Sequence, residues 1–141
     1  EPVVYGKSEV IIWEKDIALL AVGSMMICAE QVRNILKEVG YNVSIINARF
    51  IKPIDTDIID KVSKTHKLIV TMEENVYIGG YGEQVSCYAL DTGIESGILN
   101  ISLPDDYIEH GNVYILERET GIDAESVVTR IISAYRELEV N

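Results

Sequence analysis

From residue 9 onward, short β-rich runs alternate with amphipathic helical stretches, and no other pattern in the chain restricts its fold as much. Such alternation produces right-handed crossovers and a mainly parallel sheet covered by helices on both faces. The spacing predicts strands at Val10–Trp13, Ile17–Val22, Val43–Asn47, Leu68–Met72 and Ile98–Leu103. Leu68–Met72 is apolar almost throughout, as suits a strand buried on both faces. The link Glu14-Lys15-Asp16 is short enough for an antiparallel pair, so Val10–Trp13 is expected as an antiparallel edge and the other four strands as parallel. The fold class read from this is α/β: a three-layer sandwich with a five-stranded, mostly parallel sheet.

Between the strands the apolar spacing is helical. Ser24 offers an N-cap before Ala29, Val32, Ile35, Leu36 and Val39, and Gly40 is a natural stop. Asp55, just after Pro53, caps a second helix with the stripe Ile58, Ile59 and Val62. His66 and Lys67 are expected to close that helix as cations at its negative end. Gly79-Gly80-Tyr81-Gly82 leads into a third helix carrying Val85, Tyr88 and Ala89. Asp123 caps the last, whose stripe is Val127, Val128, Ile131, Ile132, Tyr135 and Leu138. Glu1 to Ser8 reads as a linker remnant, and residues 9–141 as one domain, a length that suits a single core.

The charge balance removes some functions. With 12 basic and 23 acidic side chains the formal charge is -11, which repels nucleic acid and anionic membranes. No apolar run approaches the ~20 residues of a spanning helix. The first eight residues lack the basic start and apolar run of a signal peptide. Cys28 and Cys87 fall in apolar helical patterns and are expected as buried free thiols, fitting a reducing cytoplasm.

In open parallel sheets function sits at the carboxyl ends of the strands. Val22-Gly23-Ser24-Met25-Met26 holds one of the three glycines a dinucleotide fingerprint needs, and the chain has no G-x-x-x-x-G-K-[ST] loop. Ser24 lacks the setting of a nucleophile elbow, and helix capping accounts for it. Gly79-Gly80-Tyr81-Gly82 at a helix start invites a phosphate. However, Glu73 and Glu74 lie just upstream, and no Lys or Arg stands between Glu73 and Gly82. Close backbone approach, or packing against another domain, accounts better for these glycines. Glu73 and Glu74 point to opposite faces as strand neighbours, which argues against an acid/base pair; one of them turning inward onto backbone amides or an Arg is the simpler outcome. Arg49 and Lys52 face either an anion or, more simply, a carboxylate such as Asp55. Asp105, Asp106, Glu109 and His110 match neither an EF-hand nor a zinc motif, and two histidines give no triad. No catalytic, cofactor-binding or metal residue is therefore assigned. Glu73, Glu74, Asn75, Gly79, Gly80, Gly82, Arg49 and Lys52 stand as candidates for a contact surface to another domain or subunit.

Four segments, in order, carry a family resemblance. They are Asp16-Ile-Ala-Leu-Leu-Ala-Val-Gly-Ser24; Asn47-Ala-Arg-Phe-Ile-Lys-Pro-Ile-Asp55; Leu68-Ile-Val-Thr-Met-Glu-Glu-Asn75 with Gly79-Gly80-Tyr81-Gly82; and Leu103-Pro-Asp-Asp-Tyr-Ile-Glu-His-Gly111 with Thr120-Gly-Ile-Asp123. Over about residues 6–137 the chain resembles the C-terminal domain of the 1-deoxy-D-xylulose-5-phosphate synthases, a branch of the transketolase superfamily. The E-E…G-G-x-G element is shared with transketolases and pyruvate dehydrogenase β chains; R-F-x-K-P-[LI]-D together with L-P-D…H-G points to this branch. Asn47 stands where Asp is common and Tyr107 where Phe is common, and neither departure touches the assignment.

The resemblance implies a transketolase C-terminal-like fold. It also implies a cytoplasmic, homodimeric transferase that holds thiamine diphosphate and Mg in the preceding domains of the same polypeptide. Such an enzyme decarboxylates pyruvate and joins the two-carbon unit to glyceraldehyde 3-phosphate, feeding isoprenoid, thiamine and pyridoxal synthesis. This chain shows no diphosphate-binding G-D-G…N-N segment. A supporting domain that binds no cofactor itself and is inactive alone is therefore expected. The alternatives are the C-terminal domain of another transketolase-family enzyme or of a 2-oxoacid dehydrogenase β chain, or a free-standing binding or regulatory module of the same fold.

Overall fold

The computed structural model describes residues 6–49, 53–76, 79–103 and 123–140. Its strands are β1 (Glu9–Ile12), β2 (Asp16–Ala21), β3 (Val43–Asn47), β4 (His66–Val76) and β5 (Gly97–Leu103). Its helices are α1 (Met25–Glu38), α2 (Thr56–Ser63), α3 (Tyr81–Thr92) and α4 (Ala124–Val140). The strands form one sheet in the order β1-β3-β2-β4-β5. β2 runs parallel to both β3 and β4, and β4 runs parallel to β5.

Side-chain alternation along the central strands builds two cores. Ile17, Leu19, Ala21, Ile45, Val70 and Met72 pack with Val32 and Leu36 of α1 and with Val127 and Ile131 of α4. Ala18, Leu20, Ile46 and Ile69 pack with Ile58, Ile59 and Val62 of α2 and with Tyr81 and Val85 of α3. The result is the expected three-layer sandwich. Every residue from Ile17 to Ala21 is fully buried, which is why β2 reads as a continuous apolar run rather than an alternating one.

β1 is the antiparallel edge strand, but it pairs with β3 and not with β2 as the short link suggested. Both sides of β2 are already taken by parallel neighbours, so the link must cross the end of β3 instead. Glu14 fixes that crossing. Its amide donates to Ser44 Oγ at 2.6 Å, and its carboxylate accepts from Val43 N, Arg33 and Lys37 at 2.9–3.0 Å. These donors hold the Glu14 carboxyl below its ordinary range, Lys37 contributing most, then the Val43 amide. Asp16 completes the turn in the left-handed region at φ 75°, which Asp tolerates better than most residues.

Asp55 and Asp123 cap as expected. Asp55 accepts from the Ile58 amide at 3.3 Å and Asp123 from the Ser126 amide at 3.1 Å. Ser24 occupies the position before α1 but makes no capping bond; its hydroxyl donates to Glu74 instead. Residues 6–8 are tied to α2: the Ser8 amide donates to Asp55 at 2.7 Å, and Lys7 pairs with Asp57 at 2.6 Å.

His66 does not close α2 as a cation. α2 ends at Ser63, and His66 opens β4, which is longer than expected at both ends. The ring is buried, and burial pushes its pKa down. Nδ1 lies 2.9 Å from the Val62 carbonyl, which can only accept, so Nδ1 carries the proton and Nε2 accepts from Ser44 Oγ at 2.8 Å. Val39 is exposed at the end of α1, and Cys87 is exposed because its side of α3 faces away from buried Val85 and Ala89. The expectation of two buried thiols therefore fails at Cys87, while Cys28 is half-buried.

Candidate functional site

The carboxyl ends of β2, β3 and β4 gather the candidate residues. Glu73 and Glu74, neighbours near the end of β4, point to opposite faces as strand geometry requires. Glu73 turns toward α3. It is fully buried, and its two oxygens accept from the Tyr81 amide at 2.9 Å and the Gly82 amide at 2.6 Å. These are amides at the start of a helix, which have no partner within the helix and favour a negative charge. Glu74 turns the other way, is exposed, and takes the Ser24 hydroxyl ahead of α1. Each glutamate thus secures the entry to one helix, on opposite sides of the sheet.

The glycines are explained by the same arrangement. Gly79 sits at φ 80°, and its amide donates to Glu83 at 2.8 Å. Gly80 is the N-terminal cap residue of α3, with φ -90° and ψ -175°. Gly82 lies against the sheet. A Cβ there would stand 2.8 Å from Asn100 Oδ1 and 2.9 Å from Thr71 Oγ1, too close for any real contact. Asn100 cannot move aside freely, because it accepts from Thr71 Oγ1 at 2.6 Å and donates to Ser86 Oγ at 2.9 Å. This polar chain between β4, β5 and α3 is the part of the site that the sequence reading missed. Its signals were Thr71 and Asn100, polar side chains inside apolar strands.

Arg49, after β3, pairs with Glu9 of β1 at 2.6 Å rather than with Asp55. Asp55 is buried and engaged by the Ser8 and Ile58 amides. The side chain of Asn75 and all of Lys52 lie outside the described residues, as do Asp105, Asp106, Glu109 and His110. Among the described residues no group of three or more His, Cys, Asp or Glu is placed to hold a metal, and no helix is long and apolar enough to cross a membrane. Chemically the site is a set of internal clamps. The Gly79, Tyr81 and Gly82 amides, the Glu73 carboxylate and Arg49 are already paired.

The transketolase C-terminal domain model matches residues 6–127. The chain belongs to the transketolase C-terminal domain family. Among curated proteins it is similar to the 1-deoxy-D-xylulose-5-phosphate synthase of Lachnoclostridium phytofermentans, at 45% identity over 92% of the chain and 21% of that protein. It is also similar to the synthase of the same name from Dictyoglomus thermophilum, at 35% identity over 99% of the chain and 23% of that protein. The chain therefore spans about a fifth of the length of these relatives. Among solved structures it superposes on a split-gene transketolase, an inactive beta4 tetramer, with a TM-score of 0.83 at 23% identity, covering 95% of this chain and 43% of that one. A transketolase variant from Pichia stipitis gives 0.68 at 12% identity, covering 93% and 18%. These likenesses establish the fold.

The family resemblance implies thiamine diphosphate, whose diphosphate is an anion. An anion of that kind needs cations or unpaired amides. Here the Gly79 amide is occupied by Glu83, the Tyr81 and Gly82 amides by Glu73, and Arg49 by Glu9. These strand-end residues do not fit the group.

Proposed function

We propose that this chain is the C-terminal, supporting domain of a 1-deoxy-D-xylulose-5-phosphate synthase. On this reading thiamine diphosphate and Mg are held by preceding domains of the same polypeptide, and the whole enzyme is a cytoplasmic homodimer. The observation that carries it is the 45% identity over 92% of the chain to a synthase of that name, reached over only a fifth of the synthase's length. The described strand-end groups agree, because they are paired with one another rather than presented to a substrate.

A domain exchange tests the proposal. This chain replaces the corresponding domain of the Lachnoclostridium phytofermentans synthase, and formation of deoxyxylulose phosphate from pyruvate and glyceraldehyde 3-phosphate is measured. The exchanged enzyme should retain activity, while the same exchange into a transketolase should not. The chain alone, supplied with thiamine diphosphate and magnesium, should not release CO2 from pyruvate. Turnover by the chain alone, or an exchanged synthase that folds and dimerises yet is inactive, counts against the proposal.

A further inference from the structure

β1 lies at the end of the sheet, so among the described residues its outer side has no strand partner. An unpaired edge invites a further strand, and proteins normally blunt it with Lys, Pro, a bulge or a covering element. Here the register slips once between Val10 and Ile12, which leaves Ile11 as a bulge; Glu9, the strand's one charged residue, is turned to Arg49. What remains is apolar and open: Val10 is 44% exposed, Ile11 41% and the nearby Trp13 40%.

On the α2 side, this edge opens into a groove of about 430 Å³ lined by Val10, Trp13, Lys61, Lys64 and Thr65. Trp13 is held there by edge-to-face contact with His66, with ring centroids 5.0 Å apart. Lys61 and Lys64 are exposed and have no carboxylate partner among the described residues. Two lysines without ion pairs therefore flank the exposed apolar side chains, in a chain with a formal charge of -11. Those lysines also bear on a second copy as occupant. Antiparallel pairing of two β1 strands about a two-fold axis keeps the α2 faces on the same side, so lysines would confront lysines across the junction.

We infer that this groove is a docking site for an extended acidic segment of a partner protein. Carboxylates would meet Lys61 and Lys64, and an apolar residue would cover Trp13 and Val10. Strand addition of this sort takes affinity from the main chain and specificity from alternate side chains.

Trp13 is the chain's only tryptophan and therefore reports on its own groove. The probe is the short capped peptide Glu-Thr-Val-Thr-Glu, which as a strand presents two carboxylates and a valine on one face, with Lys-Thr-Val-Thr-Lys as its control. The glutamate peptide should shift Trp13 emission saturably and perturb the backbone amides of residues 9–13. Affinity should fall about tenfold in the double variant Lys61→Glu, Lys64→Glu, as expected when two exposed attractions become repulsions. Raised salt on the unaltered chain should weaken binding in the same direction, and this arm does not depend on any variant folding. Equal or tighter binding of the lysine peptide overturns the inference, as does absence of saturation. A concentration-dependent dimer that buries Trp13 and is lost in Val10→Asp overturns it in favour of a second copy.

Discussion

Glu73 commits both carboxylate oxygens to the amides of Tyr81 and Gly82 in a fully buried position. Hydrogen bonds to a charged group contribute roughly 1.5–3 kcal/mol each, and an orphaned buried amide costs a similar amount. Glu73→Ala should therefore destabilise the chain by about 3 kcal/mol in urea unfolding. Glu73→Gln, which keeps one acceptor, should lose less; equal losses would show that the carboxylate does not act through these bonds. Tyr81, one residue into the same helix, gives the opposite sign. Its hydroxyl is buried without a hydrogen-bond partner among the described residues, and burial, with Asp55 and Glu73 nearby, pushes its pKa up. Tyr81→Phe removes an unsatisfied polar group at nearly constant volume and should raise stability by about 1 kcal/mol in the same assay. His66 sets a pH dependence. Its folded pKa is depressed by burial, so the unfolded chain binds a proton more readily. Its contribution to stability should be constant above neutrality and be lost as pH drops through the unfolded value of about 6.5. Replacing His66 by Asn should remove that slope. The lowered carboxyls of Glu14 and Asp57 act only in a more acidic window, where their stabilisation is lost as pH falls further.

The entry to α3 shows how an element can depend on one absent atom. A Gly→Ala change inside a helix ordinarily gains up to ~1 kcal/mol. At Gly82 the added Cβ meets Asn100 and Thr71 at 2.8 and 2.9 Å, and those side chains are bonded to each other. Overpacking of this kind costs ~1–3 kcal/mol, so the clash should win and Gly82→Ala should lower the melting temperature. A stabilised variant would mean that Asn100 yields at little cost. The glycines, the α2 and α4 caps, the two-faced burial of the central strands and the helix stripes, apart from exposed Val39, were legible in the sequence, because each is written in local spacing. The β1 pairing was not, because a short link reports only that a turn occurs and not which side of β2 is vacant. Ser24 and His66 were misread for a related reason. Their residue types suit a helix end, yet their partners, Glu74 and Ser44, lie far away in sequence and become neighbours only when the sheet assembles. The same distance hid the Thr71, Asn100 and Ser86 chain.

At the scale of the whole molecule, the two glutamates separate domain stability from assembly. Glu73 lies inside, so its variants act on the fold itself. Glu74 is exposed, and among the described residues it accepts from the Ser24 hydroxyl. It sits beside the loop that carries Gly79, at the end of the sheet where parallel α/β proteins place their functional surfaces. In a full-length synthase carrying this domain, any contact with a preceding domain or a second subunit at that end would meet Glu74 and Gly79 before it met Glu73. Glu74→Lys should thus leave the melting temperature of the isolated chain within a degree or two, as surface changes usually do. The same substitution in the full-length protein should weaken dimer assembly and thiamine diphosphate affinity. Glu73→Gln should do the reverse, lowering the melting temperature of the isolated chain and affecting assembly only to the extent that it loosens α3. Thermal unfolding of the isolated chain, paired with sedimentation and cofactor titration of the full-length enzyme, reads both quantities for each variant. If Glu74→Lys leaves assembly and cofactor affinity unchanged, the contact surface lies elsewhere, and the acids at the end of β4 act only within the domain.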